Sequence, residues 1–333
     1  MQTDAGPVAA ITGSLTNEDI IGGWKARWGI GRMSYIVPPG LYAIGEPGHE
    51  SPVVVTANYK MSYDLVRREM TTRNVWLLVL ETYGINVWCA AGKGTFGTGE
   101  LVRRIEISNL SRVVSHRQLI LPIMGAAGVK ATEVKKRSGF EVLFATLRIE
   151  DLPAYLDNGM QATREMRELT FTFRERLVLT PIEVIGGMKS FVFAGLPLSL
   201  LAGFSHGVFS LNRVLVVFTL YILAVISGTL VSPLLLPLLP GRMFAVKGAI
   251  SGLVCSLLCA AILGSSAAVG RADLAAMVMV MSAVSAFYAM NFTGSTPFTS
   301  PSGVRREMQL ALPVMATAGV LGITLLVVRM VLS

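Results

Sequence analysis

Two kinds of apolar pattern divide this chain. Up to about residue 185, short continuous runs alternate with polar stretches of helical period: Val53-Val54-Val55-Thr56, Trp76-Leu77-Leu78-Val79-Leu80, Leu119-Ile120-Leu121 and Val142-Leu143-Phe144-Ala145. Runs this short and this apolar fit strands buried on both faces of a parallel sheet. Helices are predicted between and after them, at 62–70, 99–107, 129–136 and 152–156. The alternation predicts a doubly wound, Rossmann- or flavodoxin-like α/β domain over residues 51–185.

The flanking segments read differently. Within residues 1–50 a helix is expected from Thr16-Asn17-Glu18-Asp19, acidic in its first turn, to Trp28-Gly29. Residues 35–52, rich in Gly and Pro, read as an extended arm. Gly186-Gly187 marks the expected end of the α/β domain. Beyond it the apolar runs lengthen to 191–209, 214–239, 249–269, 274–292 and 310–332. Each is near the roughly 20 residues that cross a bilayer core, so residues 190–333 are expected to form an all-α transmembrane domain of five helices. Pro233 and Pro237 predict a kink or an early end of the second.

Composition agrees, with 52% hydrophobic residues among 333 and a mean hydropathy of +0.58. The net charge of +8 is uneven: from Ser190 onward there are seven basic and two acidic residues, leaving 22 and 19 before it. The excess therefore belongs mainly to loops between membrane helices, and it argues against nucleic acid as a partner. Arg242, Lys247, Arg305 and Arg306 fall in loops on one side, and Met1-Gln2-Thr3-Asp4 has no signal-peptide pattern. A multi-pass protein of the inner, cytoplasmic membrane is expected, with its α/β domain in the cytoplasm and lipid around its spans.

Three cysteines, Cys89, Cys255 and Cys259, make no disulfide framework. With no CxxC and no set of four cysteines, no iron–sulfur cluster is expected in this chain, so low-potential electrons would come from a partner. Cys255 and Cys259, at i and i+4, read as small packing residues of the third span.

Cys89 follows the second strand and precedes glycines, at the rim where α/β folds bind ligands. Thr56, Gly125 and Gly128 would share that rim. Four readings of Cys89 remain open on residue type alone. A buried structural thiol is the plainest. A nucleophile needs a base, and His49 and His116 lie in no supporting motif. A phosphate loop at Gly92-Lys93-Gly94-Thr95 fails the Walker spacing. A metal ligand is the fourth, and because one thiol cannot build a metal site, the metal would have to arrive already chelated.

The segment Asn86-Val87-Trp88-Cys89-Ala90-Ala91-Gly92-Lys93, followed by Gly94-Thr95-Phe96-Gly97-Thr98, resembles the cap-helix motif in the corrinoid-binding domain of corrinoid iron–sulfur proteins. It resembles still more closely the mercury-methylating membrane corrinoid proteins, the HgcA family. The similarity includes Pro52-Val53-Val54-Val55-Thr56-Ala57-Asn58-Tyr59-Lys60 and Lys136-Arg137-Ser138-Gly139-Phe140, and five membrane spans accord with the mercury-methylating family. The Asp-x-His-x-x-Gly signature of histidine-ligated cobalamin proteins is absent.

The resemblance implies a bound cobalamin or related corrinoid, with Cys89 as catalytic residue and lower axial ligand to its cobalt. Asn86, Val87, Trp88, Ala90, Ala91, Gly92, Lys93 and Gly94 would form the cap, with Thr56, Gly125 and Gly128 as further cofactor contacts. The activity implied is a cobalamin-dependent methyltransferase that gives its methyl group to Hg(II), for which a strongly donating thiolate is the suitable trans ligand. Implied partners are a small ferredoxin-like iron–sulfur protein of the HgcB type as reductant, and a methylated folate or its methyltransferase as methyl source. The alternatives are a membrane-tethered methyl carrier of one-carbon and acetyl-CoA metabolism, and a non-enzymatic corrinoid sensor or transport component. Transport would need polar residues within the spans, where His206 and a few hydroxyls are the main ones.

Overall fold

The computed structural model describes residues 1–205, 208–263, 271–296 and 298–332. His206 and residues 264–269 of the expected third span lie outside them. The chain divides into two compact units, Met1–Thr170 and Phe171–Ser333.

The first unit is built on a six-stranded sheet of β1 (Ala9–Ile11), β2 (Gly40–Ile44), β3 (Val53–Ala57), β4 (Val75–Leu80), β5 (Gln118–Leu121) and β6 (Glu141–Phe144). Its spatial order is β1-β2-β4-β3-β5-β6. The four strands from β4 to β6 are parallel, as the apolar runs predict. Every residue of β3 and β4 is buried. β2 pairs antiparallel with β4, and β1 parallel with β2. Part of the expected arm is thus sheet.

Helices cover both faces, giving the doubly wound arrangement. Val55, Leu78 and Leu119 pack with α4 (Thr98–Ile107), the short α5 (Leu110–Val113) and α6 (Ala131–Ser138) on one face. Val54, Leu77 and Ile120 pack with α2 (Lys60–Glu69) and α7 (Leu152–Asp157) on the other. Alternate residues of each strand serve opposite faces, so both need apolar side chains at every position.

The N-terminal helix α1 (Asn17–Arg27) begins at a capping box between Thr16 and Asp19. Asp19 also accepts from Lys60 and Arg67 of α2, which in turn bond Asp64 at 2.8 and 2.9 Å. Burial works to raise the Asp19 pKa, but hydrogen bonds from Lys60, the Thr16 backbone and Arg67 outweigh it and hold the carboxyl well below the usual carboxylate range. A depressed folded-state pKa gives stability that is present above the ordinary value of 3.8 and is lost as the pH falls below it. Asp19→Asn should therefore lower stability by about 2 kcal/mol near neutral pH. Its difference from wild type should shrink from about pH 4 to about pH 2, which paired thermal melts will show.

Among its described residues the second unit contains five helices long and apolar enough to cross a membrane: Phe173–Gly203, Leu211–Leu234, Phe244–Leu263, Ala272–Ser295 and Ser302–Val328. The first starts at Phe173 and runs through Gly186 and Gly187, where the sequence suggests a boundary. A capping box of Thr172 and Glu175 starts it. Gly187 serves packing, since a Cβ there would lie 2.7 Å from Val225 Cγ1 of the second span. That second span ends at Leu234, just past Pro233. The third and fourth spans approach closely at Gly248 and Gly252, where a Cβ would meet the Ser285 and Met281 carbonyls at 2.7 and 2.8 Å. Ser285 Oγ donates to the Gly248 carbonyl at 2.7 Å. Small residues and a buried hydroxyl are how helices associate where water exclusion gives no driving force.

Candidate functional site

Strand β3 leads to β4 on one side of it, while β5 and β6 lie on the other. This reversal opens a crevice at the carboxyl ends of β3 and β5, the usual ligand position in such sheets. A cavity of ≈ 280 Å³ lies there, lined by Thr56, Val87, Pro122, Met124, Thr146 and Leu147 among others. Thr56 and Val87 are the two sequence-predicted site residues that line it.

The turn leaving β4 is fixed before the cap helix begins. Asn58, at the end of β3, donates from Nδ2 to Glu81 Oε1 at 2.6 Å. Its Oδ1 accepts from the Thr82 and Gly84 backbone N–H groups at 3.0 and 3.2 Å. Asn58 is 1% exposed, and its amide ties two strand ends together. Glu100, at the start of α4, accepts from the Glu81 N–H at 3.0 Å and is paired with Arg104 at 2.6 Å.

Helix α3 (Val87–Lys93) follows. Asn86 is its N-cap, with Oδ1 accepting from the Cys89 N–H at 2.9 Å. Gly94, in the left-handed region at φ 80°, ends it. The Thr95 and Phe96 N–H groups both turn back to the Ala90 carbonyl, at 3.0 and 3.2 Å. Ala90 and Ala91 are buried, whereas Cys89, Gly92 and Lys93 are exposed and Trp88 is 39% exposed. Cys89, Gly92 and Lys93 are spaced i, i+3 and i+4, so they share the outward face.

The glycines near α3 fall into two groups. A Cβ at Gly92 or Gly94 would meet no atom within 4 Å. At Gly128 it would lie 2.1 Å from the Phe96 carbonyl oxygen and 3.0 Å from Ala91 Cα, and at Gly125 it would lie 2.6 Å from the Phe96 ring. Gly125 and Gly128 therefore sit against the inner side of the cap segment, where they let α3 and Phe96 pack closely on the loop after β5. Phe96 is fully buried.

Cys89 is a solvent-facing thiol, which removes the reading of a buried structural cysteine. The described histidines lie away from it. His116, just before β5, is within 2.9 Å of the Ser51 carbonyl and accepts from the Gln118 N–H at 3.2 Å. Those residues are at the amino ends of the strands, opposite the crevice. Among the described residues no three His, Cys, Asp or Glu side chains come together as a metal site, so the thiol could serve a metal only if the metal brought most of its own ligands. Asn58, Phe96, Met124 and Thr146 are candidate site residues that periodicity does not single out; for Asn58, Met124 and Thr146 position just beyond a strand end is the available signal, and Phe96 follows the cap helix.

A protein-family model described as CO dehydrogenase/acetyl-CoA synthase delta subunit matches residues 31–149. The segment from Asn86 to Gly128 lies inside the match and the membrane spans lie outside it. Acetyl-CoA decarbonylase/synthase complex subunit gamma of Methanopyrus kandleri is 36% identical over 124 residues, covering 36% of this chain and 26% of the relative. The gamma subunits of Archaeoglobus fulgidus and Methanocaldococcus jannaschii are 31% and 30% identical over 125 and 130 residues, covering 37% and 38% of this chain and 26% of each relative. The chain spans about a quarter of the length of these curated relatives.

Proposed function

We propose that this chain is a membrane-tethered corrinoid protein that passes a methyl group to an acceptor. The observation carrying this reading is the outward face of α3: an exposed thiol at Cys89 beside Gly92, a glycine in the helix's last turn whose place no neighbouring side chain requires. Glycine inside a helix costs up to about 1 kcal/mol relative to alanine, so its presence without a steric reason fits a planar ligand seated close to the backbone. The residues thus suit a corrinoid.

Bound there, the corrinoid would supply a cobalt-carried methyl group. Cys89 would offer its thiolate to the cobalt. Asn86 fixes the backbone that carries Cys89, Trp88 would shield the thiol once the corrinoid is seated, and Thr56 and Val87 line the crevice. Gly125 and Gly128 hold the cap down.

Two acceptors suit this chemistry. Hg(II), a soft electrophile, is supported by the resemblance of residues 86–93 to the mercury-methylating proteins and by five apolar helices following the α/β unit. The reductant is then a ferredoxin-like iron–sulfur protein, with a methylated folate as methyl source. The second reading is a methyl carrier for acetyl-group synthesis, which the comparisons favour because each relative is named for an acetyl-CoA decarbonylase/synthase complex. In both readings the α/β unit faces the cytoplasm.

The deciding experiment loads the purified full chain with methylcobalamin and supplies a Hg(II) thiolate complex in one arm and an acetyl-CoA synthase in the other. Methylmercury formed in the first arm supports mercury methylation. Transfer only in the second supports the carrier. Failure to bind corrinoid at all overturns both.

A further inference from the structure

We propose that the second unit carries a binding site for the phosphate headgroup of an anionic phospholipid, in the cavity where Arg176, Arg242, Lys247 and Arg306 converge. The cavity has a volume of ≈ 880 Å³. Its lining comes from the starts of the first, third and fifth spans and from the chain just beyond the second and fourth. All of these meet at one end of the five-helix bundle, the depth at which lipid headgroups lie.

The cavity's four cations outnumber its one carboxylate. None of the four cations is within ion-pairing distance of a carboxylate among the described residues. The one acidic lining residue, Glu307, is committed elsewhere: its Oε1 accepts the Ala245 N–H at 2.7 Å, in the first turn of the third span. Lys247 Nζ donates to the Leu236 and Leu239 carbonyls. Arg176 is 7% exposed and donates to the Phe171 and Leu234 carbonyls, yet its buried Nε–H has no partner among the described residues. A buried guanidinium held only by carbonyls and an aromatic ring is costly unless an anion completes it.

A free anion would answer the charge but not the walls. Phe244, Phe298 and Leu310 share the lining with the cations, so the cavity offers apolar surface beside a phosphate-binding charge. Arginine suits phosphate because its fork presents paired donors. An amphiphile with a phosphate head and acyl chains satisfies both parts.

The test reconstitutes the full chain in nanodiscs containing phosphatidylglycerol and phosphatidylcholine, then counts the lipids retained after detergent extraction by native mass spectrometry. Wild type should retain phosphatidylglycerol preferentially. Arg242→Gln/Arg306→Gln should weaken that retention by about fivefold per cation, roughly 25-fold for the pair. Arg242→Lys/Arg306→Lys, which keeps the charge, should retain most of it, and Arg213→Gln, which lines a different cavity, should match wild type. Equal retention of both lipids by wild type would overturn the proposal, as would undiminished retention by the glutamine pair. Displacement of the lipid by inorganic phosphate would assign the site to a free anion and also overturn it.

Discussion

Cys89→Ala should fold as stably as wild type, still take up a corrinoid, and transfer methyl groups at least about a hundredfold more slowly. The thiol is exposed and fills no core space. Its removal should change stability by no more than about 0.5 kcal/mol, the range for surface substitutions. Helix α3 should also survive, because its cap uses the Cys89 backbone N–H and not the side chain. What is lost is the one soft, strongly donating ligand that this face offers to a metal. Three readouts separate this from a structural role: an unchanged melting temperature, an altered absorption spectrum of the bound corrinoid, and a reduced transfer rate. An unaltered spectrum would show that the thiol does not reach the cobalt. A lowered melting temperature without a spectral change would return Cys89 to a packing role.

The parts of this fold legible in the sequence are those whose burial is set by layer position. β3 and β4 are central, so their sequences are apolar at every position but Thr56, and four strands with their helices could be read from that alone. β1 and β2 could not. β1 has three residues, and β2 follows Pro38 and Pro39 in a stretch whose glycines and prolines look like a loop. Its strand conformation comes from pairing with β4, from Gly40↔Val79 to Ile44↔Val75, a tertiary event without a local signal. The membrane helices were legible by length, but the start of the first was not. Arg174, Glu175, Arg176, Glu183 and Lys189 interrupt its hydrophobic pattern, while the capping box at Thr172 sets the helix start.

The site divides along the same line. The cap motif is contiguous, so Asn86, Cys89 and the glycine that ends α3 could be named from their order in the chain. Asn58 could not be given its role, because it acts on Glu81, Thr82 and Gly84, more than twenty positions later. Gly125 and Gly128 were expected at the ligand rim. The structure gives them a steric reason as well, the closeness of Phe96 and Ala91, which only the folded chain reveals.

The same distinction predicts opposite outcomes for two glycine-to-alanine changes. Gly128→Ala should destabilise the first unit by about 3 kcal/mol, the upper range for overpacking. Its Cβ would lie 2.1 Å from the Phe96 carbonyl oxygen and 3.0 Å from Ala91 Cα. Both are backbone atoms that cannot rotate away, so α3 must lift from the loop after β5, and corrinoid uptake should fall with the melting temperature. Gly92→Ala should do the reverse to stability, gaining up to about 1 kcal/mol from helix propensity because the new methyl meets nothing within 4 Å. Yet that methyl would project from the face that carries Cys89, so corrinoid affinity should drop at least about tenfold. Thermal melts paired with corrinoid titrations of both variants check the pair. A Gly92→Ala protein that is more stable and binds corrinoid as tightly as wild type would mean that the ligand does not approach this face of α3, and the assignment of the cap would fail with it.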